Sequence, residues 1–156
     1  MSEVRYSIEP SGLGDSFLMA HNMREVDKRE IWASHKSRPL ESLVRSLKKS
    51  SDARTGRVDG EIAIMFGVCP HTLVSDHASI WMLGTDLLAQ HSVRFLRECS
   101  NGIADISGKF RKIENYCDAR NTTTLRWLDW LGFTIEEAQP YGVYEMPFHH
   151  FYKEVI

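Results

Sequence analysis

The sequence predicts an α/β fold of the mixed α+β kind, with a central mixed sheet of about six or seven strands flanked by helices. Three observations predict it. Helical spacing of apolar residues alternates with strand-like runs, two turn signals join neighbouring strands, and the second half runs strand, helix, strand, helix, strand. A strand–helix–strand unit calls for a parallel pair and hairpins call for antiparallel ones, so both occur in one sheet. The 156 residues suit one domain over 1–156 with a single substantial core.

The elements follow in the order β-α-α-(α)-β-β-β-α-β-α-β-β. Val4, Tyr6 and Ile8 alternate in a first strand ended by Pro10, and Asp15 then offers a helix N-cap. Helical spacing continues to His35 with a break on the way. Pro39 starts a further helix carrying Leu40, Leu43, Val44 and Leu47. Asp59-Gly60 marks a hairpin turn, and "EIAIMFGV" is apolar enough for a strand buried on both faces. "ASIWMLGT" gives the next strand. Residues 88–107 return to helical spacing, with a break expected near Asn101-Gly102. "KIENYCDA" is a short strand, "NTTTLRWLDWLGF" the last helix, and two strands joined by a turn at 139–142 close the chain.

Composition narrows the function classes. A net charge of −2 and a pI near 6.4 give no electrostatic reason for a nucleic-acid partner. No apolar run reaches the roughly 18 residues of a membrane span, and the N-terminus lacks a signal-peptide pattern. Cys69, Cys99 and Cys117 form no C-x-x-C pair and read as reduced core thiols, which places the protein in a cytoplasm. His149-His150 with His71 or His77 matches no recognised metal spacing, so no metal is expected. The four tryptophans read as core or interface anchors.

Asn121 opening a helix that ends eleven and twelve residues later in Gly132-Phe133, after a short strand ending in Cys117-Asp118 and before "TIEEA", resembles the GNAT superfamily of acetyl-CoA-dependent N-acetyltransferases. "MREVDKREIWA", "SIWMLGT" and "DARNTTTLRWLDWLGF" together resemble a small tailed-phage family, described as internal virion protein A or as phage acetyltransferases of GNAT-like fold. The resemblance implies a single GNAT-like domain that transfers acetyl from acetyl-CoA to an unknown amine or protein substrate in the host bacterial cytoplasm. It equally allows a catalytically inactive protein of that fold, acting in virion assembly with phage proteins or binding a host protein. An unrelated mixed α/β binding module needs only the hydrophobic pattern.

By the same resemblance, acetyl-CoA or CoA would lie where two parallel strands part. Trp81, Met82, Leu83 and Gly84 would line its pantetheine arm, and Leu88, Ala89, Gln90 and His91 its diphosphate. The family's loop carries two small residues, usually glycine. Here Leu88, His91 and Val93 stand at the loop's three signature places, so both glycine positions carry side chains. Asn121 would both cap the last helix and touch the cofactor. The family's tyrosine, seven residues after the asparagine, is Leu128, which removes the usual acid. For the base that deprotonates an ammonium, Glu61 and Asp86 are the expected residues, each with an alternative reading as a hairpin charge or a helix cap.

Overall fold

The computed structural model describes residues 3–155. Strand β1 (Tyr6–Pro10) leads to helices α1 (Leu13–Asn22), α2 (Glu25–His35) and α3 (Pro39–Lys49). Then come β2 (Asp52–Val58), β3 (Glu61–Pro70), β4 (His77–Gly84), the short α4 (Asp86–Gln90) and α5 (Ser92–Ser107). Strand β5 (Lys112–Asp118), helix α6 (Thr122–Trp130), β6 (Thr134–Ile135), β7 (Gln139–Tyr141) and β8 (Met146–Glu154) complete the chain. The eight strands form one sheet in the order β1-β2-β3-β4-β5-β8-β6, and β7 shares the outer edge of β8 with β6. Every pair is antiparallel except β4–β5. Among the described residues no helix is long and apolar enough to cross a membrane.

The expected mixed sheet with flanking helices is what forms, with local corrections. The first strand covers 6–10, because register with β2 extends through Pro10 at the sheet edge. Gly12, not Asp15, is the N-cap of α1; Asp15 sits one turn in and accepts the Gly12 N–H at 3.0 Å. The expected break at Asn101-Gly102 lies instead at His91, between α4 and α5. Gly102 continues the helix because Cys99, Ile103 and Ile106 around it are buried on one face, and the Phe66 ring, 2.9 Å from where a Cβ would stand, requires glycine there. Residues 139–141 pair with β8 as a strand, and the turn falls at Gly142–Glu145.

The sheet carries a core on each face. On one, Ile64, Phe66 and Val68 of β3 and Ile113 of β5 meet Phe95, Cys99 and Ile103 of α5 and Trp127 and Leu128 of α6. On the other, Ile62, Met65 and Leu83 meet Met19 of α1, Ile31 of α2 and Leu43 of α3. A bulge at Ala63, with Gly56 opposite Ile64 and Arg57 opposite Ile62, brings Ile62 to the same face as Met65. The helical layers therefore lie on opposite sides of the sheet, and anything that joins them must pass between strands.

Candidate active site

That passage exists between β4 and β5. Their parallel ladder runs only from His77 opposite Lys112 to Ser79 opposite Glu114. Asn115 then ends it. Its Oδ1 accepts the Tyr116 N–H at 2.8 Å, and its Nδ2 donates to the Ile80 carbonyl at 2.7 Å. One side-chain amide thus takes over the bonds that would carry the ladder on. Beyond it β4 stays with β3 as far as Gly84 opposite Ile64, while β5 stays with β8 as far as Asp118 opposite Phe148. The parallel strands part in a V.

Backbone alternation decides what β4 offers to this gap. The Ile80 carbonyl and both polar groups of Gly84 turn toward it, so Met82, midway between them, turns its N–H and C=O the same way. Among the described residues no β5 backbone group pairs with Met82.

Helix α2 seals one end of the V. The Arg24 N–H donates to the Gly84 carbonyl at 2.9 Å, and the Gly84 N–H donates to Asp27 Oδ2 at 2.9 Å. The Arg24 guanidinium donates twice to Asp27, at 2.9 and 3.0 Å, and once to Thr124 Oγ1 of α6 at 3.1 Å; it also lies 4.9 Å from the Trp127 ring centre. Asn121 Nδ2 reaches Asp27 Oδ1 at 3.4 Å while its Oδ1 accepts the Thr124 N–H at 3.4 Å. Helices from opposite faces therefore meet through the sheet around one buried ion pair. Burial pushes the Asp27 carboxyl above its ordinary value, against the opposing pull of Arg24, Gly84 and Asn121.

One turn further along α2, Glu30 Oε1 accepts the Asp118 N–H at 2.7 Å, at the open end of β5. Glu30 is set deep among protein atoms yet partly accessible through a cavity of about 140 Å³, which Trp81, Met82, Tyr116, Cys117, Leu128 and Tyr141 also line. Desolvation first, and then the nearby Asp27 charge, push its carboxyl up to about 7, a value suited to accepting a proton near neutrality. The adjacent Cys117 thiol is driven up by burial and by Glu30 itself, so it stays protonated and is no nucleophile. Tyr116 and Tyr141 stack with ring centres 4.0 Å apart, and burial followed by Tyr116 raises the Tyr141 hydroxyl, which remains a donor.

The residues expected from sequence fall into three places. Trp81, Met82, Leu83 and Gly84 edge the gap; Trp81 lies over Gly67 and donates from Nε1 to Ser50 Oγ at 2.9 Å. Asn121 is buried beneath the gap with both ends of its amide engaged. In the loop after β4, Leu88 is buried under Gly84, Ala89 and Gln90 are exposed in α4, and His91 Nδ1 meets the Tyr6 hydroxyl at 2.9 Å. Helix α5 thus starts over β1 and β2, on the far side of β3 from the gap. Glu61 and Asp86 share an exposed cleft with Leu18, Asn22 and Gln90, on the β3 side of β4. Sequence reading missed Arg24, Asp27, Glu30 and Asn115. The polar run "REVDKRE" held three of them, but its charges look like a solvated helix face until the sheet is folded around them.

A mixed sheet whose parallel central pair parts in a V, with helices on both faces, is the fold of the GNAT acetyltransferases. Solved structures agree. A GNAT-family acetyltransferase from Streptococcus pneumoniae superposes with a TM-score of 0.67 at 15% identity, over 97% of this chain and 100% of that one. A Vibrio cholerae spermidine N-acetyltransferase in complex with CoA and spermine gives 0.67 at 13%, over 96% and 95%. The ribosomal-protein-S5-alanine acetyltransferase of Vibrio fischeri gives 0.63 at 16%, over 96% and 92%. No protein-family model matches the sequence, and no curated protein matches it.

Proposed function

We propose that this protein transfers an acetyl group from acetyl-CoA to an amine, with the reacting atoms held in the gap between β4 and β5. The observation that carries the reading is the unpaired Met82 backbone in that gap, with the Glu30 carboxyl at the wall of the same cavity. The chain fits the thioester end of the cofactor: Met82 offers one N–H and one C=O to an amide of the pantetheine arm, as an added strand would use them. It does not offer a glycine-rich cradle for the diphosphate, because Leu88 packs under Gly84 and α5 begins over β1 and β2. When bound, acetyl-CoA supplies the activated acyl group.

The chain's own residues supply the proton chemistry. Glu30 takes the proton from an incoming ammonium, directly or through one water, since its raised carboxyl is half ionised near neutral pH. Asp27, fixed by Arg24 and Asn121, keeps α2 docked and holds Glu30 high. The hydroxyl of Tyr116 or Tyr141 donates to the departing sulfur, in place of the phenol that Leu128 lacks. Glu61 and Asp86, the bases expected from sequence, keep a role only for an acceptor that reaches over the end of β4.

The test is calorimetric titration with acetyl-CoA and CoA, followed by turnover on an amine panel that includes spermidine and spermine. Binding with acetyl transfer supports the reading; no heat and no thermal stabilisation at millimolar ligand would falsify it, because a ligand of the native state must stabilise it. A second reading, a non-catalytic phage-derived GNAT-fold protein in virion assembly or host-protein binding, is favoured by one observation. Arg24 and Asp27 already occupy the Gly84 backbone groups at the gap. Ligand binding without turnover on any amine supports that reading.

A further inference from the structure

The opposite end of the same strands carries a separate cluster. His71 lies just past β3, His77 opens β4, and Glu114 stands on β5; one donor atom from each lies within 4.8 Å of the other two. We propose that His71, His77 and Glu114 form a binding site for a divalent transition metal, Zn²⁺ being the best fit, with a remaining coordination position left to water or an external ligand.

The donor chemistry is that of zinc: two imidazole nitrogens and one carboxylate oxygen. A tetrahedral ion with bonds of about 2.0–2.1 Å sets its ligands roughly 3.3 Å apart, so no pair has to close by more than about 1.5 Å. Rotation of the exposed His71 ring, which gives up its 3.3 Å contact with Ser79 Oγ, supplies such a movement. The two rings stand at 81° with centres 6.3 Å apart, approaching from different directions and not stacked.

The supports are rigid. The His71 N–H donates to the His77 carbonyl at 3.1 Å, which fixes the two histidines' separation across the β3–β4 connection. His77 and Glu114 stand at the two ends of the one stretch where β4 and β5 are laddered. An outer shell is also in place: His150 Nε2 binds Glu114 Oε1 at 2.9 Å, and its Nδ1 faces Glu136 Oε1, an arrangement that orients a ligand carboxylate. This leaves Glu114 Oε2 for the ion. Lys112 Nζ forms a long ion pair with that oxygen at 3.9 Å, which the ion replaces as Lys112 keeps its seat over the Tyr152 ring. Asp76, 3.7 Å from His77 Nε2, adds negative potential, shared with Arg111 at 3.8 Å.

Zn²⁺ titration of the full chain without a histidine tag, in competition with a chromogenic chelator, tests the site. One Zn²⁺ per chain is expected. His71→Ala, His77→Ala and Glu114→Gln should each weaken binding by about tenfold or more, Glu136→Gln by a smaller factor, and His21→Ala on α1 not at all. Circular dichroism of each variant without metal shows that the fold is kept, and Co²⁺ should give a tetrahedral visible band that His77→Ala abolishes. The proposal is overturned by no binding to the unaltered chain, by affinity that survives loss of His77, or by an equal loss in His21→Ala. None of His71, His77 and Glu114 lines the cavity beside Glu30, so neither outcome decides acetyl transfer.

Discussion

Two pairs of carboxylates stand on either side of β4, and their surroundings make them different chemical objects. Glu61 and Asp86 lie exposed in the cleft toward β3, where water solvates both. Asp27 and Glu30 lie one helical turn apart on α2 in the gap toward β5, where little water reaches and a carboxylate must find its partners in the protein. Asp27 finds Arg24, the Gly84 amide and Asn121. Glu30 finds one backbone amide and a neighbouring negative charge, and so holds its proton to about 7. The lesson is that proximity of acids in sequence says little about acid–base chemistry; the dielectric and the partners do.

Four experiments test that contrast. The largest effect is expected for Glu30→Gln, which keeps the acceptor for the Asp118 N–H but cannot take a proton. Acetyl transfer should fall by about 10²–10⁴-fold, and the limb of the pH–rate profile that rises near 7 should vanish. Steady-state kinetics across pH check this, and a profile that keeps its limb sinks the assignment.

Next comes Arg24→Ala, which leaves Asp27 buried without its cation. Denaturant unfolding should show a loss of about 3–5 kcal/mol, against about 0.5 kcal/mol or less for Lys28→Ala, whose 3.3 Å pair with Glu25 is exposed. Equal losses would mean that the gap is wetter than its geometry implies.

The third expectation turns Glu30 into a stability measurement independent of activity. Its folded value lies above the ordinary 4.5, so the folded state binds the proton more tightly than the unfolded chain. The resulting stabilisation is fully present below about pH 4.5 and is lost as pH rises through 7. Glu30→Gln should therefore unfold about 1–3 kcal/mol later than the unaltered protein at pH 8 and show no such gain at pH 4. The smallest effect is reserved for Glu61→Gln, within about 0.5 kcal/mol of the unaltered protein at either pH. A large loss there would reverse the ranking of the two pairs.

Much of the fold was legible because its signals are local. Asp59-Gly60 turns at φ of 49° and 84°, which an Asp-Gly pair accepts readily; Pro39 starts α3, and the apolar run of β3 is buried on both faces. Two of the failures had a distant cause. Gly102 stays helical because the apolar face of α5 on either side of it is buried against the sheet, and residues 139–141 become a strand because β8 offers a free edge. For the site, Trp81 to Gly84 were legible as the strand edge of a parting pair. The acids were not, since an Arg-x-x-Asp-x-x-Glu spacing on a helix reads as a solvated stripe.

The sequence by itself determined the elements, their order and the mixed sheet, because hydrophobic period and turn chemistry act over a few residues. Tertiary structure alone decided that Asn115 ends the β4–β5 ladder, which carboxylates are stripped of water, and which histidines meet. Arg24 reaches Thr124 and Asp27 reaches Asn121 across 100 and 94 residues of chain. Burial and partner geometry are properties of such long-range contacts, and they set a carboxyl's affinity for its proton where no local pattern can.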